Sequence, residues 1–296
     1  MLMKILIIGY GSIGQRHARL LAAAGHDIAV VSARTVDNYR SFTSLKEALT
    51  DFPPDFVIVA SVTSQHGTDL DALSELGYVN SVLVEKPLLA ALPTGSHARP
   101  TFSVRVAYNL RFHPVIISLR KALEGRRIFA CHIIAGQHLS QWRPGRDILS
   151  TYSANKAAGG GVTRDLSHEL DLAQYVFGPL SLLASHSARV GSVTVDSEDV
   201  AVAILSSTAC PLITIHLNYL DRQPRRQWIV ITDTGTIEAD LVKSTFSIDG
   251  ESKVVPLTPD ETYKRMHQAV LTGEAGPCDW DEGIATVALL DKIAPL

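Results

Sequence analysis

Short apolar runs alternate with amphipathic stretches over the first hundred residues of the chain. The apolar runs predict strands at residues 4–8, 27–31, 55–60, 81–84 and 102–107. Helical periodicity predicts helices at residues 14–24, 44–50 and 68–76. Strands that are apolar on both faces and alternate with helices are typical of a parallel sheet covered on both sides. Residues 1–108 are therefore expected to form an α/β domain with a doubly wound parallel sheet.

From residue 109 the pattern changes to longer strands with alternating side chains. Strands are predicted at residues 128–135, 182–190, 199–205, 211–220, 227–232, 235–240 and 243–248. Helices are predicted at residues 114–123, 162–177, 262–271 and 280–293. Many strands with few helices favour an α+β domain with a largely antiparallel, open sheet over residues 109–296.

A glycine-rich turn directly follows the first predicted strand. Gly9 permits the tight turn, Gly11 lets the backbone approach a phosphate, and Gly14 lets helix and strand pack closely. The following helix directs its N-terminal N–H groups and its dipole at an anion, as in the Rossmann dinucleotide-binding fold. The residues expected to contact a dinucleotide at this turn are Gly9, Gly11, Ser12, Ile13 and Gly14.

The end of the second strand bears on which dinucleotide binds. An acidic residue is usual here for NAD, because it binds the ribose hydroxyls, whereas this chain has Ser32 and Arg34. A hydroxyl and a guanidinium suit a 2′-phosphate, so NADP is favoured. The alternative is NAD, with Asp37 reaching the ribose and Arg34 a solvated loop charge.

Glu85, Lys86 and Pro87 follow the fourth predicted strand, at the sheet edge where open α/β sheets bind ligands. Lys86 there can hydrogen-bond a substrate oxygen and assist proton transfer. Polar side chains that follow the third predicted strand are expected at the same edge. Further cofactor contacts are expected from Ser61, Thr63, His66, Glu85 and Lys86.

A second polar cluster begins after Gly159-Gly160-Gly161. Asp165, His168 and Glu169 share one face of the predicted helix. A carboxylate can orient an imidazole, which can carry a proton at neutral pH. The catalytic residues are therefore expected to be Lys86, His168 and Asp165, with no metal.

A third set of residues is expected to bind the substrate. Its arginines can clamp a carboxylate or a phosphate, and its aromatic rings can stack on a sugar or a base. It falls around residue 110 and in the segment 137–152, which is expected to close over an anionic substrate. The set comprises Asn109, Arg111, Trp142, Arg143, Arg146, Tyr152 and His168.

Composition excludes several classes. The formal charge of −3 gives no support for nucleic-acid binding or for an anionic membrane surface. Apolar runs are all shorter than the roughly 18 residues of a membrane span. The three cysteines are far apart, which is typical of reduced thiols and predicts a cytoplasmic protein.

Taken in order, these motifs resemble the Gfo/Idh/MocA family, which includes glucose–fructose oxidoreductase and inositol dehydrogenase. The resemblance covers nearly the whole chain. The residues that carry it are Gly9 to Gly14 with Arg16 and His17, then Glu85-Lys86-Pro87, then Gly159-Gly160-Gly161 with Asp165, His168 and Asp171. It implies that Lys86 and His168 match the family's catalytic lysine and histidine. The family usually separates this aspartate and histidine by four residues, whereas here the spacing is three. Whether Asp165 or Glu169 partners His168 stays open.

The resemblance further implies hydride transfer between NAD(P) and a hydroxyl or keto carbon of a sugar. With the arginines, the expected substrate is an anionic sugar, either a sugar acid or a nucleotide-linked sugar of surface-polysaccharide biosynthesis. The alternatives are an epimerase with tightly held cofactor and a non-enzymatic NADP-binding regulator. A biliverdin-reductase-like role fits the length but not the arginine-rich segment. The open C-terminal sheet is expected to form a homodimer or homotetramer.

Overall fold

The computed structural model describes residues 2–92, 99–142, 153, 156, 159–191 and 195–296. Fifteen strands are described, and none of the described helices is long and apolar enough to cross a membrane. The strands are β1 Lys4–Ile8, β2 Asp27–Val31, β3 Arg40–Phe42, β4 Phe56–Val59, β5 Val82–Val84, β6 Val104–Val106, β7 Ile128–Gly136, β8 Ser181–Ala188, β9 Val200–Ser206, β10 Ile213–Asn218, β11 Arg225–Thr232, β12 Gly235–Asp240, β13 Thr245–Ile248, β14 Glu251–Val254 and β15 Cys278–Asp279.

Nine α-helices are described over the same residues, together with two 3₁₀ turns at Thr63–Gln65 and Asn109–Phe112. The helices are α1 Ser12–Ala23, α2 Leu45–Asp51, α3 His66–Glu75, α4 Pro114–Leu123, α5 Leu139–Trp142, α6 Val162–Asp165, α7 His168–Phe177, α8 Glu261–Thr272 and α9 Trp280–Ile293. The short helix α5 was not predicted; the other helices agree with the predicted ones to within a few residues, except at residues 166–167.

The first compact unit comprises residues 1–108 and 266–284. Its sheet has the order β15-β6-β5-β4-β1-β2-β3, and all pairs are parallel except β15 with β6. The central strands β1 and β4 are buried along almost their whole length, because helices cover both faces of a doubly wound sheet. Strand order reverses beside β1, so the carboxyl ends of β1 and β4 form the crevice where such sheets bind ligands.

The second unit comprises residues 109–265 and 285–296. The sequence had suggested that everything after residue 109 belongs to it, which is wrong for residues 266–284. Strand β15 extends the first sheet by pairing with β6. At Gly283 an added Cβ would lie 2.8 Å from the Val106 side chain, so only a glycine lets α9 approach that closely. An edge pairing of two residues leaves too short a sequence pattern to be predicted.

The sheet of the second unit has eight strands in the order β14-β13-β12-β11-β7-β10-β9-β8. All pairs are antiparallel except β7 with β10, which confirms the largely antiparallel sheet. One face packs on α4, α6 and α7 around Trp228, which is fully buried. The alternating burial along β9 and β11 leaves the opposite face open.

The single helix predicted over residues 162–177 is in fact two helices. Leu166 and Ser167 separate α6 from α7, and Leu166 has φ −96° and ψ 28°, outside helical geometry. The Ser167 N–H donates to the Arg164 carbonyl, a three-residue spacing that tightens the chain at this point. The break shifts the helical phase by less than one turn. The apolar spacing therefore looks continuous in the sequence, and the break cannot be predicted from it.

Candidate active site

The glycine turn has the geometry that its sequence predicts. Gly9 has φ +94°, a conformation that L side chains rarely adopt. A Cβ on Gly14 would lie 2.1 Å from the Gly9 carbonyl oxygen, so this position accepts only glycine. A Cβ on Gly11 would meet no atom within 4 Å, so the turn is open on that side. A close backbone turn with open space at the start of α1 fits a pyrophosphate bound by backbone N–H groups.

The loop after β2 carries the residues proposed to select the dinucleotide. The backbone N–H of Arg34 donates to the Ser32 hydroxyl over 2.9 Å, which folds the loop into a tight turn. The Arg34 side chain is exposed. Asp37 contributes, after burial and Tyr39, to raising the pKa of Tyr10 in the glycine turn. The side chains of Arg34 and Asp37 are both exposed, so both alternatives for the ribose stay open.

Lys86 lies directly beyond β5, and its side chain is half-buried. The peptide bond between Lys86 and Pro87 is cis. Glu85 precedes it and is buried; one carboxylate oxygen accepts from the Lys86 N–H over 3.2 Å, and the other lies 2.9 Å from His17 Nε2. Glu85 therefore binds protein groups and fixes the backbone at Lys86, and its role toward a cofactor stays a prediction.

His66 begins α3 and is almost completely buried. Its Nδ1 lies 3.1 Å from the Pro87 carbonyl oxygen and 3.2 Å from that of Leu88. Burial lowers the pKa of His66, against the nearby negative charge of Glu85 and the carbonyl oxygens of Pro87, Ser61 and Leu88. A carbonyl only accepts, so Nδ1 carries a hydrogen and donates to these oxygens. With 1 % of its surface exposed, His66 holds the turn that follows Lys86, and a direct contact with a cofactor stays a prediction.

The other two residues assigned after β4 lie at its carboxyl end. Ser61 is half-buried, and its hydroxyl donates to Asp69 Oδ2 over 2.5 Å. Burial raises the pKa of Asp69, against the effect of this hydrogen bond. Thr63 begins the 3₁₀ turn and is half-buried. Their roles toward a cofactor stay predictions.

In the second unit, Asp165 ends α6 and His168 begins α7. The Tyr219 hydroxyl donates to Asp165 Oδ2 over 2.7 Å, and both residues are buried. His168 is half-buried, with its Nδ1 shielded from solvent. Glu169 forms an ion pair of 2.6 Å with Arg226, so its carboxylate is held on the sheet side of α7.

Two residues assigned to the substrate are packed inside the second unit instead. Arg111 is buried, and its guanidinium forms a two-pronged pair with the Asp171 carboxylate, with the shortest contact 2.6 Å. Asn109 is also buried and donates to Thr262 Oγ1 over 2.8 Å. These contacts hold both side chains inside the second unit, since a buried cation needs a bound partner and a buried amide a hydrogen bond; their roles toward a substrate stay predictions.

The remaining substrate residues fall where the structure gives no side chains. Arg143, Arg146 and Tyr152 lie outside the described residues, and only the backbone of Trp142 is described. Arg164, a further arginine of the glycine-rich segment, is buried and bound to Asp291 and to the Ala294 carbonyl. Burial lowers the pKa of Arg164 against these contacts. A substrate anion would therefore depend on arginines other than Arg111 and Arg164.

Sequence reasoning missed every partner that comes from a distant segment. Tyr219, Arg226 and His267 contact residues 54, 57 and 250 positions away along the chain. Their own sequence surroundings carry no motif. Only the apolar strand pattern around Tyr219 and Arg226 indicated that these residues lie in a sheet.

Comparison with known proteins agrees with this arrangement. Residues 3–98 match a family model described as "Oxidoreductase family, NAD-binding Rossmann fold", and residues 116–238 match "GFO/IDH/MocA C-terminal domain". The chain belongs to the Gfo/Idh/MocA family. Membership confirms the resemblance carried by the glycine turn and Glu85-Lys86-Pro87, and makes the chain a member of an NAD-binding oxidoreductase family.

Individual relatives are more distant. The inositol 2-dehydrogenase of Acidothermus cellulolyticus is 28% identical over 192 residues, which cover 59% of this chain and 53% of that enzyme. The chain thus matches about half the length of this curated relative. The WlbA dehydrogenase of Bordetella pertussis, solved with NADH and UDP-GlcNAcA, has TM-score 0.78 and 19% identity, covering 99% of this chain and 95% of its own.

A third similar structure is GnnA of Acidithiobacillus ferrooxidans, a UDP-N-acetylglucosamine 3-dehydrogenase. Its TM-score is 0.79 with 18% identity, and the match covers 99% of this chain and 97% of that one. At such identities the likeness shows the fold, with a Rossmann domain followed by a largely antiparallel sheet.

Proposed function

We propose that this protein is an NAD(P)-dependent oxidoreductase that moves a hydride between the nicotinamide and a hydroxyl-bearing carbon of an anionic sugar. The observation that carries the proposal is the glycine turn at the head of α1, where Gly14 has no room for a Cβ and Gly11 is open. This is the backbone geometry that a dinucleotide pyrophosphate requires. The sugar-acid or nucleotide-sugar class is supported by the WlbA and GnnA folds.

We assign cofactor binding, binding of the substrate oxygen and proton transfer to different residues of the chain. The glycine turn binds the pyrophosphate with backbone N–H groups, and Lys86, beyond β5, lies at the carboxyl edge of the same sheet. The bound cofactor would supply the hydride acceptor or donor. When an alcohol is oxidised, its hydroxyl proton leaves to a base while the hydride leaves from carbon. We assign Lys86 to hold that oxygen and His168 Nε2 to take the proton, since His168 Nδ1 is shielded.

Asp165 completes the assignment as a positioning carboxylate. The Tyr219 hydroxyl fixes its Oδ2, and Asp165 stands one tight turn before His168. Glu169, the alternative partner of His168, is committed to Arg226. This contact favours Asp165 over Glu169 as the group that orients the imidazole.

Substitution of Lys86 tests the assignment. Lys86→Ala is expected to lower kcat by about a hundredfold or more, the scale of general acid–base assistance, while the dissociation constant for NAD(P)H stays nearly unchanged. Lys46→Ala, an exposed lysine on α2 of the same unit, is the matched control and should keep full activity. Wild-type turnover in Lys86→Ala would remove this lysine from the mechanism.

For the cofactor we propose NADP, because Ser32 and the exposed Arg34 stand where an acidic residue binds the ribose of NAD. Titration calorimetry with NADPH and NADH compares the two directly. Arg34→Ala should weaken NADPH binding by about 1.5–3 kcal/mol, the scale of a hydrogen bond to a charged group, and leave NADH unaffected. Tighter binding of NADH, lost in Asp37→Ala, would assign the ribose to Asp37 instead.

For the substrate we propose that the segment 137–152 binds the anion through Arg143 and Arg146. The burial of Arg111 and Arg164 supports this assignment. Arg143 and Arg146 are the other arginines among the residues expected to bind the substrate. Arg143→Ala and Arg146→Ala should raise KM for UDP-linked sugar acids more than KM for a neutral inositol. Equal losses for both substrates would make the segment a structural cover only.

We also propose that two copies associate through the open face of the eight-stranded sheet. Ile204, His132 and Ile229 lie in register across β9, β10, β7 and β11, with Thr214 between the first two. Ile229, Ile231, Val202 and Ile204 are each more than a third exposed. An apolar patch in the middle of a sheet is typical of an interface between copies. Ile229→Asp should convert a dimer or tetramer to monomer in light scattering, and an unchanged mass would refute this interface.

A further inference from the structure

Two buried histidines connect the helix of the glycine turn to the residue before Lys86. His17 lies on α1 and is completely buried, and its Nε2 is 2.9 Å from a carboxylate oxygen of Glu85. His17 Nδ1 is 2.7 Å from Nε2 of His267, on α8. His267 is 6 % exposed, and both of these contacts lie within the first unit. The three side chains form one continuous buried chain.

The chemistry of the groups fixes the direction of the hydrogen bonds. A carboxylate only accepts, so His17 Nε2 carries a hydrogen and donates to Glu85. Burial first, and then His17, lowers the pKa of His267 well below its ordinary value, so this ring is neutral. If His17 Nδ1 carries no hydrogen, it accepts, and His267 Nε2 donates to it over 2.7 Å. Each ring thereby sets the tautomer of the next.

The end of this chain is the backbone of Lys86. The second oxygen of Glu85 accepts from the Lys86 N–H over 3.2 Å. On the other side of the turn, His66 Nδ1 lies 3.1 Å from the Pro87 carbonyl oxygen. The backbone on both sides of Lys86 is therefore held by buried side chains from three helices, α1, α3 and α8.

We propose that His267 is a positioning residue, which acts through His17 and Glu85 to hold Lys86 in the orientation needed for hydride transfer. This inference rests on the proposed function, because it assumes that Lys86 touches the substrate. Misplacement of a catalytic group by about 1 Å can reduce turnover by about a hundredfold. Loss of the terminal donor should therefore cost activity without any change in the residues that bind substrate or cofactor.

Three variants of α8 separate positioning from stability. His267→Leu removes the donor, and His267→Gln keeps an N–H for His17 Nδ1. Met266→Ala is the matched control, since Met266 is also buried on α8 and its truncation leaves a cavity but no broken hydrogen bond. We expect His267→Leu to lower kcat by about tenfold or more with KM for NAD(P)H within about twofold. His267→Gln should recover most of kcat, and Met266→Ala should keep it.

A second readout does not depend on turnover. In protein labelled with ¹⁵N-lysine and ¹⁵N-histidine, the Lys86 amide resonance should shift in His267→Leu and stay near its wild-type position in His267→Gln. The wild-type His17 ring should show a hydrogen on Nε2 and none on Nδ1. If no sugar is turned over by the wild type, the proposed function fails, while these resonances still decide whether the histidines hold Lys86.

Three results would overturn the proposal. One is an unshifted Lys86 amide in His267→Leu, and another is an equal loss of kcat in Met266→Ala. The third is a His17 ring that carries no hydrogen on Nε2. This protonation is measured on the wild-type protein, so it decides the question even if His267→Leu does not fold.

Discussion

The buried pair of Arg111 and Asp171 gives a sharp test, because it separates a structural arginine from a substrate-binding one. Both side chains are essentially inaccessible, at 1% and 0% exposure. Arg111 Nε lies 3.1 and 3.0 Å from the two carboxylate oxygens of Asp171, and Nη2 lies 2.6 Å from Oδ1. The ring of Tyr175 lies 4.7 Å from the guanidinium carbon. Asp171→Ala removes the compensating charge and leaves the cation in place.

Removal of one partner of a buried ion pair costs about 3–5 kcal/mol, because the remaining charge is left without compensation. For a domain of about 150–250 residues, each kcal/mol corresponds to about 2–4 °C in Tm. Asp171→Ala should therefore lower Tm by about 6–20 °C. Asp171→Asn keeps the volume and one acceptor oxygen, so its loss should be smaller.

Urea unfolding followed by circular dichroism measures the loss in the free energy of unfolding, and a thermal scan with the same signal measures the change in Tm. The control is Asp281→Ala, which breaks the exposed Arg99–Asp281 pair, whose side chains are 63% and 70% exposed. That pair should contribute less than about 1 kcal/mol. A wild-type urea midpoint for Asp171→Ala, combined with a raised KM for charged substrates in Arg111→Met, would show that Arg111 binds substrate after all.

Three further predictions follow from single contacts. Tyr219→Phe removes the hydrogen bond to Asp165 and should lower the free energy of unfolding by about 1.5–3 kcal/mol in urea titration; an unchanged value would mean that Asp165 needs no partner. Burial lowers the pKa of His113 from 6.5 to about 4. The unfolded protein therefore binds a proton at His113 more tightly than the folded protein does, and the free energy of unfolding should fall as the pH drops from 6.5 toward 4. His113→Gln should flatten that profile in urea titrations, and an equal slope in both proteins would contradict the assignment. Gly14→Ala should weaken NAD(P)H binding by more than about tenfold in a fluorescence titration, since its Cβ would lie 2.1 Å from the Gly9 carbonyl oxygen. Gly11→Ala is the control and should fold normally, because a Cβ there meets open space. Unimpaired binding in Gly14→Ala would refute a pyrophosphate site at the glycine turn.

Most strands could be predicted because a buried strand produces a local apolar pattern in the sequence. β1, β2 and β4 are buried on both faces, so each appears in the sequence as a continuous apolar run. Helix α4 was predicted at its observed bounds, Pro114–Leu123, because Pro114 marks its first turn. The short strands β3, β14 and β15 were missed, since edge pairings of two to four residues leave no periodic pattern.

The glycine turn and Glu85-Lys86-Pro87 were recognisable as family motifs because each consists of a few consecutive residues. Assignments that required knowing which way a side chain points were less secure. Arg111 and His66 were expected at ligands because arginine and histidine are common there, yet both are buried against partners from other segments. A sequence shows the chemical type of a residue but not the desolvation that forces a charged group to find a partner inside.

The same reasoning explains why polar residues cluster behind Lys86, the lysine proposed to be catalytic. A loop that carries a catalytic group lies at a sheet edge, where backbone hydrogen bonds of the strands have ended. Its position must then be fixed by side chains, and buried side-chain hydrogen bonds hold well only when every donor and acceptor is matched. Glu85, His17 and His267 meet this requirement in series, since each group accepts or donates what the next one needs. The contribution of His267 therefore reaches Lys86 through His17 and Glu85, which is why a residue 181 positions away can be expected to influence turnover.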